Sequence, residues 1–120
     1  MKAYDFDGVI VPDFDYVEID QEDFERVWLA INPIYEPKGP WCIITGRTSA
    51  ELIIKWCKRH LSNPPTKVYA NDIDITPVYW KLAMLQKLGI TEFVESDPAQ
   101  ATFLYNNGID CKIYKDIVNA

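Results

Sequence analysis

Two aspartates separated by one residue, Asp5 and Asp7, follow the first apolar segment of the chain and precede Gly8. Side chains at positions i and i+2 of a strand point to the same side, so the two carboxyl groups would meet at one rim of a sheet. Two like charges that close either attract a divalent cation or raise one pKa, and oxygen ligands suit Mg²⁺. The alternative is a solvated turn, because Asp and Gly are common turn residues.

A second group of candidate residues follows the apolar segment at residues 41–44: Thr45, Gly46, Arg47, Thr48 and Ser49. A hydroxyl group and the free backbone N–H groups at the start of a helix form a cradle for phosphate. The pattern predicts such a cradle beside Thr45, with the helix starting at Thr48 or Ser49. The alternative is that Thr48 and Ser49 only cap the helix; both interpretations can hold for different residues.

Lys81 lies one turn inside a helix that Thr76 and Pro77 are predicted to start. A Lys at this place points toward the helix start and toward the carboxyl edge of the sheet. There it would neutralise a carboxylate and a phosphate together. The alternative is a solvated surface lysine, and Lys87 at the far end of the same helix serves for comparison.

Glu95 and Asp97 close the fourth apolar segment of the chain. Acids at the carboxyl end of another strand would give further ligands to a cation held by Asp5. The alternative is that these acids favour the dipole of the helix that Pro98 opens.

Short apolar segments alternate with helical patterns along the whole chain. Strands are predicted at residues 2–6, 41–44, 67–70, 92–95 and 111–114, and helices at 21–31, 48–61, 76–88 and 98–106. Residues 9–20 are predicted to be extended and irregular, with a turn and a small hairpin. The alternation predicts an α/β fold of three layers, Rossmann-like, with a mostly parallel five-stranded sheet and helices on both faces. In such sheets, ligands bind beyond the carboxyl ends of the strands.

Length and composition limit the range of functions. The 120 residues suit a single domain spanning 1–120, and the net charge of −6 argues against binding of long nucleic acid. No apolar run approaches the roughly 18 residues of a membrane span, and the N-terminus reaches carboxylates at once, which argues against a signal peptide. The three separate cysteines, Cys42, Cys57 and Cys111, favour buried, reduced thiols. These features predict a cytoplasmic protein without membrane partners.

In their order along the chain, the candidate residues resemble the four motifs of the haloacid dehalogenase-like (HAD) hydrolase superfamily. Residues 5–9 are similar to the first motif, 43–47 to the second, Lys81 to the third and 95–97 to the fourth. The resemblance extends from residue 3 to about residue 114. Only residues 9–20 and 71–75 stand where relatives insert a cap domain, so the chain resembles a small capless member with an open site.

The resemblance implies a phosphatase that forms an aspartyl-phosphate. Asp5 would attack phosphorus, and Asp7 would protonate the leaving oxygen and later activate water. Thr45 and Lys81 would hold the phosphoryl oxygens. The implied substrate-binding residues are Thr45, Gly46, Arg47 and Lys81.

The resemblance also implies a Mg²⁺ cofactor, bound by the Asp5 side chain, the carbonyl oxygen of Asp7 and an acid of the fourth motif. Many relatives have two adjacent acids where this chain has Glu95 and Ser96. The fourth-motif ligand would therefore be Asp97 or Glu95. Ser96 also motivates a second hypothesis, a catalytically weak or inactive HAD-like binding or assembly module. A phosphoacceptor receiver domain is a third, although it fits the strand spacing less well.

An open site of this kind suits a phosphomonoester on a large molecule, including a nucleotide or a nucleic acid end, or it depends on a second copy of the chain as a lid. Three aromatic residues near the opening, Phe14, Tyr16 and Tyr35, would stack on a base or pack beneath a hairpin, and packing is the favoured interpretation. His60 is interpreted as a surface residue at a helix end.

Overall fold

The computed structural model describes residues 1–13 and 21–118, and of residues 21–24 it describes the backbone only. The strands are β1 (Lys2–Tyr4), β2 (Trp41–Thr45), β3 (Lys67–Ala70), β4 (Glu92–Glu95) and β5 (Asp110–Ile113). The helices are α1 (Gln21–Leu29), α2 (Glu51–His60), α3 (Pro77–Leu88), α4 (Pro98–Asn106) and α5 (Tyr114–Val118).

The five strands form one sheet in the order β3-β2-β1-β4-β5, and every pairing between them is parallel. The short strand β1 lies in the middle, where Ala3 is in register with Cys42 on one side and with Phe93 on the other. The predicted α/β class and five-stranded parallel sheet are confirmed. The continuous apolar character of β2, which is buried along its whole length, is typical of a strand covered on both faces.

Helices cover both faces of the sheet, as the sequence predicts. On one face, α1 and α2 bury tryptophans, Trp28 and Trp56, against strand side chains such as Ile43. On the other face, α3 and α4 bury Leu85 and Leu104. Two separate apolar clusters therefore hold the sheet from opposite sides, and the polar site is left to the edge where the strands end.

The predicted start of α2 is wrong. The helix begins at Glu51 and not at Thr48 or Ser49, and Ala50 precedes it without a side-chain cap. The chain leaving β2 is held in a loop because the amide of Asn71 donates to the carbonyl oxygen of Arg47 at 2.8 Å. This tertiary contact outweighs the local tendency of Thr and Ser to cap a helix.

Other boundaries shift by a few residues. Helix α1 ends two residues earlier than predicted, because the amides of Ala30 and Ile31 bond to carbonyl groups three residues back and tighten the final turn. The predicted strand 111–114 occupies Asp110–Ile113 instead. Helix α5 was not predicted, although Tyr114 and Ile117 have the i, i+3 spacing of one helix face and pack against the cluster around Trp28.

Two side chains, those of His60 and Tyr35, make packing contacts inside the fold. His60 lies in the last turn of α2, as predicted, and is half-buried: its ring stacks on Trp56 at 4.8 Å, and its Nε2 lies 2.6 Å from the carbonyl oxygen of Leu29. Tyr35 packs between Tyr4 and Tyr114, which confirms the packing interpretation for this residue. Phe14, Tyr16 and most of the predicted hairpin at 9–20 lie outside the described residues.

The three cysteines are free thiols, with Cys42 and Cys57 buried and Cys111 half-buried. Across residues 1–13 and 21–118, no helix combines the length and the apolar character needed to cross a lipid bilayer.

Candidate active site

A cleft of about 380 Å³ opens at the carboxyl ends of β1 and β2. Its lining residues are Asp5, Asp7, Asp13, Thr45, Gly46, Arg47 and Lys81. The structure therefore brings together every residue that the sequence suggested for catalysis and substrate binding. The two fourth-motif acids, Glu95 and Asp97, do not line this cleft. Glu95 is hydrogen-bonded to Lys81, which does line it.

Asp5 is the most deeply placed acid of the cleft, with 6% of its surface exposed. Its amide donates to the carbonyl oxygen of Val94 at 2.9 Å, which continues the pairing of β1 with β4 by one residue. Its Oδ1 accepts from the amide of Phe6 at 2.8 Å. Burial and then the charge of Glu95 raise the pKa of Asp5 well above its ordinary value, and the Lys81 ammonium opposes them.

Lys81 reaches from α3 to the centre of the site. Its Nζ donates to Asp5 Oδ2 at 3.3 Å, to Glu95 Oε2 at 2.9 Å and to Gln100 Oε1 at 2.9 Å. Burial alone would lower the pKa of Lys81, but the charges of Asp5 and Glu95 outweigh burial and raise it. Lys81 is 3% exposed and is not a solvated surface lysine, whereas Lys87 on the same helix is exposed.

Glu95 is the buried partner that keeps this cation in place. It is 1% exposed, and both of its carboxylate oxygens accept hydrogen bonds. Oε2 accepts from Lys81, and Oε1 accepts from the amides of Ser96 at 3.0 Å and Asp97 at 3.3 Å. A buried ion pair is tolerated when further hydrogen bonds satisfy its remaining lone pairs, and Glu95 meets that condition.

Asp7 and Arg47 form a two-pronged ion pair at the mouth of the cleft. The Arg47 Nε donates to Asp7 Oδ2 at 2.8 Å, and Nη2 donates to Oδ1 at 2.7 Å. The guanidinium also lies 4.8 Å from the centre of the Trp28 ring, a cation–π distance. Burial raises the pKa of Asp7, and the charge of Arg47 works against that rise. Arg47 was predicted to bind substrate, and in the structure its guanidinium is bonded to Asp7.

Thr45 ends β2 inside the cleft and is 1% exposed. Its Oγ1 accepts from the amide of Arg47 at 3.2 Å. Because α2 begins only at Glu51, the predicted cradle consists of the Thr45 hydroxyl and loop amides, and the amides of the helix start are not adjacent to Thr45. Gly46 allows close packing here, since a Cβ at this position would lie 2.9 Å from the Cβ of Pro77.

Sequence reasoning missed Asn71, a fully buried amide beside the site. Its Nδ2 donates to the carbonyl oxygen of Ile75 at 2.7 Å, its Oδ1 accepts from the amide of Ile75 at 3.3 Å, and its own amide bonds to Arg47. The segment 71–75 is therefore a tight turn tied to the loop after β2. An Asn directly after a predicted strand is the signal that could have indicated such a turn.

The predicted magnesium ligands have other partners. Asp97 caps α4, where its Oδ1 accepts from the amide of Ala99 at 2.9 Å, as the alternative interpretation of this acid supposed. The carbonyl oxygen of Asp7 accepts from Ser96 Oγ at 3.1 Å. Within the described ranges, no group of three or more His, Cys, Asp or Glu side chains is arranged to hold a metal ion.

Asp5 and Asp7 line the cleft, and Ser96 Oγ bonds to the Asp7 carbonyl oxygen. If an ion replaced that bond, the Asp5 carboxylate, the Asp7 carbonyl and the Ser96 hydroxyl would be oxygen donors of suitable type, with one formal charge between them. Mg²⁺ usually keeps several waters and is bound by one or two carboxylates together with substrate phosphates. This donor set therefore fits a magnesium ion that binds together with a phosphorylated substrate.

Comparisons of this chain with protein-family models, with curated proteins and with solved structures found no match. The resemblance to the HAD superfamily, drawn from the four motifs, therefore stays a prediction.

Proposed function

We propose that the protein is a Mg²⁺-dependent phosphomonoester hydrolase of the HAD type, with Asp5 as its nucleophile. One observation carries the proposal: a buried carboxylate, a buried ammonium and a strand-end hydroxyl converge in a single cleft at the carboxyl edge of a parallel sheet. Lys81 Nζ lies 3.3 Å from Asp5 Oδ2, and Thr45 lines the same cleft. Phosphoryl transfer requires mainly positioning and charge stabilisation, which these groups supply.

In the proposed reaction, an Asp5 oxygen bonds to phosphorus while the bond from phosphorus to the leaving oxygen breaks. Asp7 gives its proton to the leaving oxygen. Water then attacks the aspartyl-phosphate, Asp7 takes a proton from that water, and inorganic phosphate leaves with Asp5 restored. Burial raises the pKa of Asp7 and so favours the protonated form that donates to the leaving oxygen, while the charge of Arg47 opposes that rise. Burial and Glu95 raise the pKa of Asp5, and the Lys81 ammonium opposes that rise and so favours the ionised form that attack requires.

The charge of the site supports a role for a divalent cation. Among the residues that the structure describes, four carboxyl groups and two cationic groups surround the cleft: Asp5, Asp7, Asp13, Glu95, Arg47 and Lys81. When all are ionised, the acids exceed the bases by two, so a phosphate dianion alone would be repelled. Mg²⁺, held by Asp5, the Asp7 carbonyl and Ser96, would supply the missing positive charge when bound.

The shape of the cleft suggests the class of substrate. On the side of residues 71–75, a tight turn stands where a capped relative would have a domain. An open cleft admits a phosphate on a large molecule, including a nucleotide or a nucleic acid end, and a second copy of the chain would serve as a lid for a smaller one. Free thiols suit a reducing compartment such as the cytoplasm.

Hydrolysis of p-nitrophenyl phosphate with and without Mg²⁺ tests the proposal. We expect turnover that EDTA abolishes and that Asp5→Asn lowers to the background rate. The matched control is Asp110→Asn, an exposed acid on β5, which should retain wild-type turnover. Absence of metal-dependent turnover on a panel of phosphomonoesters, nucleotides and nucleic acid ends would refute the enzymatic function.

The hydrogen bond from Ser96 to the Asp7 carbonyl favours a second candidate, a HAD-like binding module without turnover. This candidate predicts that the protein binds a phosphorylated ligand, detected by calorimetry, while no phosphate is released. A phospho-aspartate that persists for minutes would instead indicate a receiver-type phosphoacceptor.

A further inference from the structure

The Lys81 ammonium uses all three of its protons in hydrogen bonds within the protein. Its acceptors come from three parts of the fold: Asp5 after β1, Glu95 at the end of β4 and Gln100 on α4. An ammonium group has three donors and no acceptor. A phosphoryl oxygen can therefore bond to Lys81 only by replacing one of these three acceptors.

The distances indicate which acceptor is replaced. The bonds to Glu95 and Gln100 are both 2.9 Å long, which is the usual length for N–H···O, whereas the bond to Asp5 is 3.3 Å. The proton that faces Asp5 is thus the most weakly held of the three. It is also the one that faces the cleft, because Asp5 lines the cleft and Glu95 and Gln100 do not.

The ammonium group rotates about its Cε–Nζ bond, and each strong acceptor opposes that rotation. The bond to Glu95 selects one rotational setting, and the bond to Gln100, of the same length, deepens that preference and fixes the position of Nζ. With both acceptors in place, the third proton keeps one direction. That direction is toward Asp5 and toward the place of an entering phosphoryl oxygen.

Gln100 is suited to this task by its charge and its anchoring. Its side-chain nitrogen lies 3.4 Å from Oδ2 of Asp97, which caps the same helix, so the amide oxygen is turned toward Lys81. As a neutral acceptor it fixes the ammonium without adding a third carboxylate next to Asp5 and Glu95.

We infer that Gln100 is a positioning residue that orients the Lys81 ammonium toward Asp5 and an incoming phosphoryl group. The kinetic part of this inference rests on the proposed function. The structural part, an oriented and protected ammonium, does not.

The structural part is tested by NMR of the lysine ammonium groups in ¹⁵N-labelled protein. A buried ammonium with three partners should give a resolved, slowly exchanging signal, which is assigned to Lys81 by its absence in Lys81→Arg. Gln100→Leu, which removes the acceptor at similar size, should broaden this signal or speed its proton exchange about tenfold. Gln100→Glu, which keeps an acceptor, should retain the signal. Gln86→Leu, an exposed position on α3, is the matched control.

The kinetic part uses the same variants with p-nitrophenyl phosphate and Mg²⁺. We expect Gln100→Leu to lower kcat about tenfold while KM changes less than about twofold, because orientation acts in the transition state and not in binding. Gln100→Glu, which keeps the acceptor but adds a third carboxylate, should recover only part of the kcat. Circular dichroism confirms that each variant is folded, and Gln100→Ala replaces Gln100→Leu if the latter is not.

The outcomes separate the two proposals. If the wild-type protein has no turnover but Gln100→Leu still alters the Lys81 signal, the proposed function fails and the orienting role of Gln100 stands. An unchanged Lys81 signal in Gln100→Leu overturns the inference. So does a rise in KM with kcat unchanged, since that pattern indicates a role in substrate binding alone.

Discussion

Replacing Lys81 with methionine tests whether the buried cation holds the site together. Methionine has a similar length but no charge, so the variant leaves Asp5 and Glu95 buried side by side without their shared cation. Each of these carboxylates is at most 6% exposed, so water cannot replace the lost ammonium. We expect Lys81→Met to be folded but strongly destabilised.

The size of the loss follows from the burial of the group. Removing one partner of a buried ion pair costs about 3–5 kcal/mol, because the other charge stays buried and unpaired. For a domain of 120 residues, the unfolding entropy is about 250 cal/mol/K, so each kcal/mol shifts the Tm by roughly 4 °C. Lys81→Met should therefore lower the Tm by about 12–20 °C at pH 7.5.

Urea and thermal unfolding, followed by fluorescence of the four tryptophans, measure this loss. Lys87→Met, an exposed position on the same helix, is the control and should change stability by less than about 0.5 kcal/mol. The double variant Lys81→Met/Glu95→Gln should recover part of the stability, because it removes one of the two unpaired charges.

The reasoning would be refuted by similar, small losses in the Lys81 and Lys87 variants. It would also be refuted if Glu95→Gln destabilised the Lys81→Met protein further, since the two carboxylates would then not be repelling each other.

Three other predictions follow from the described contacts. Asp5→Asn should have a higher Tm than the wild type at pH 8. Because the pKa of Asp5 is raised in the folded protein, the wild type loses stability as the pH rises above about 4, and the Asn variant has no such loss. A lower Tm of the variant at pH 8 would contradict this. Gly8→Ala should lose about 2–4 kcal/mol in urea unfolding, because its φ is 76° and a Cβ would lie 2.6 Å from the Cβ of Ser96. Gly39→Ala, with a φ of 69° and no atom within 4 Å of its Cβ, should lose only the strain of about 1–2 kcal/mol, and equal losses would argue against the clash. Burial raises the pKa of the Cys57 thiol to about 12, so Ellman's reagent at pH 8 should label it only as the protein unfolds, and fast labelling of the folded protein would contradict its burial.

The sequence predicts the bounds of helices and strands best where a proline or a glycine marks the end of an element. The predicted boundaries of β3, β4 and α4 match the observed ones, because Pro98 opens α4 and Gly89, with a φ of 67°, ends the preceding helix. The start of α2 was misplaced because its Thr and Ser signals are overridden by the contact between Asn71 and Arg47. Local propensity cannot report a bond formed with a turn that lies more than 20 residues away in the sequence.

In the site, too, one part could be predicted from the sequence and another could not. The composition of the motifs was enough to predict that Asp5, Thr45 and Lys81 would converge, because parallel strands end at one edge. The pairing of side chains was not predictable in this way. Arg47 meets Asp7 across 40 residues, and Gln100 meets Lys81 across 19, so each pairing depends on the relative placement of elements that the motifs do not encode.

The central place of β1 in the sheet has a consequence for how the chain acquires its site during synthesis. The strand that precedes Asp5 is made long before one of its two neighbours, β4, which ends at Glu95. Asp5 cannot be enclosed until residues 94 and 95 have been made, because both its amide partner and its buried acid neighbour belong to that later strand. Nascent chains stalled before residue 92 should therefore lack a formed cleft, and maturation of the site is tied to completion of the whole domain.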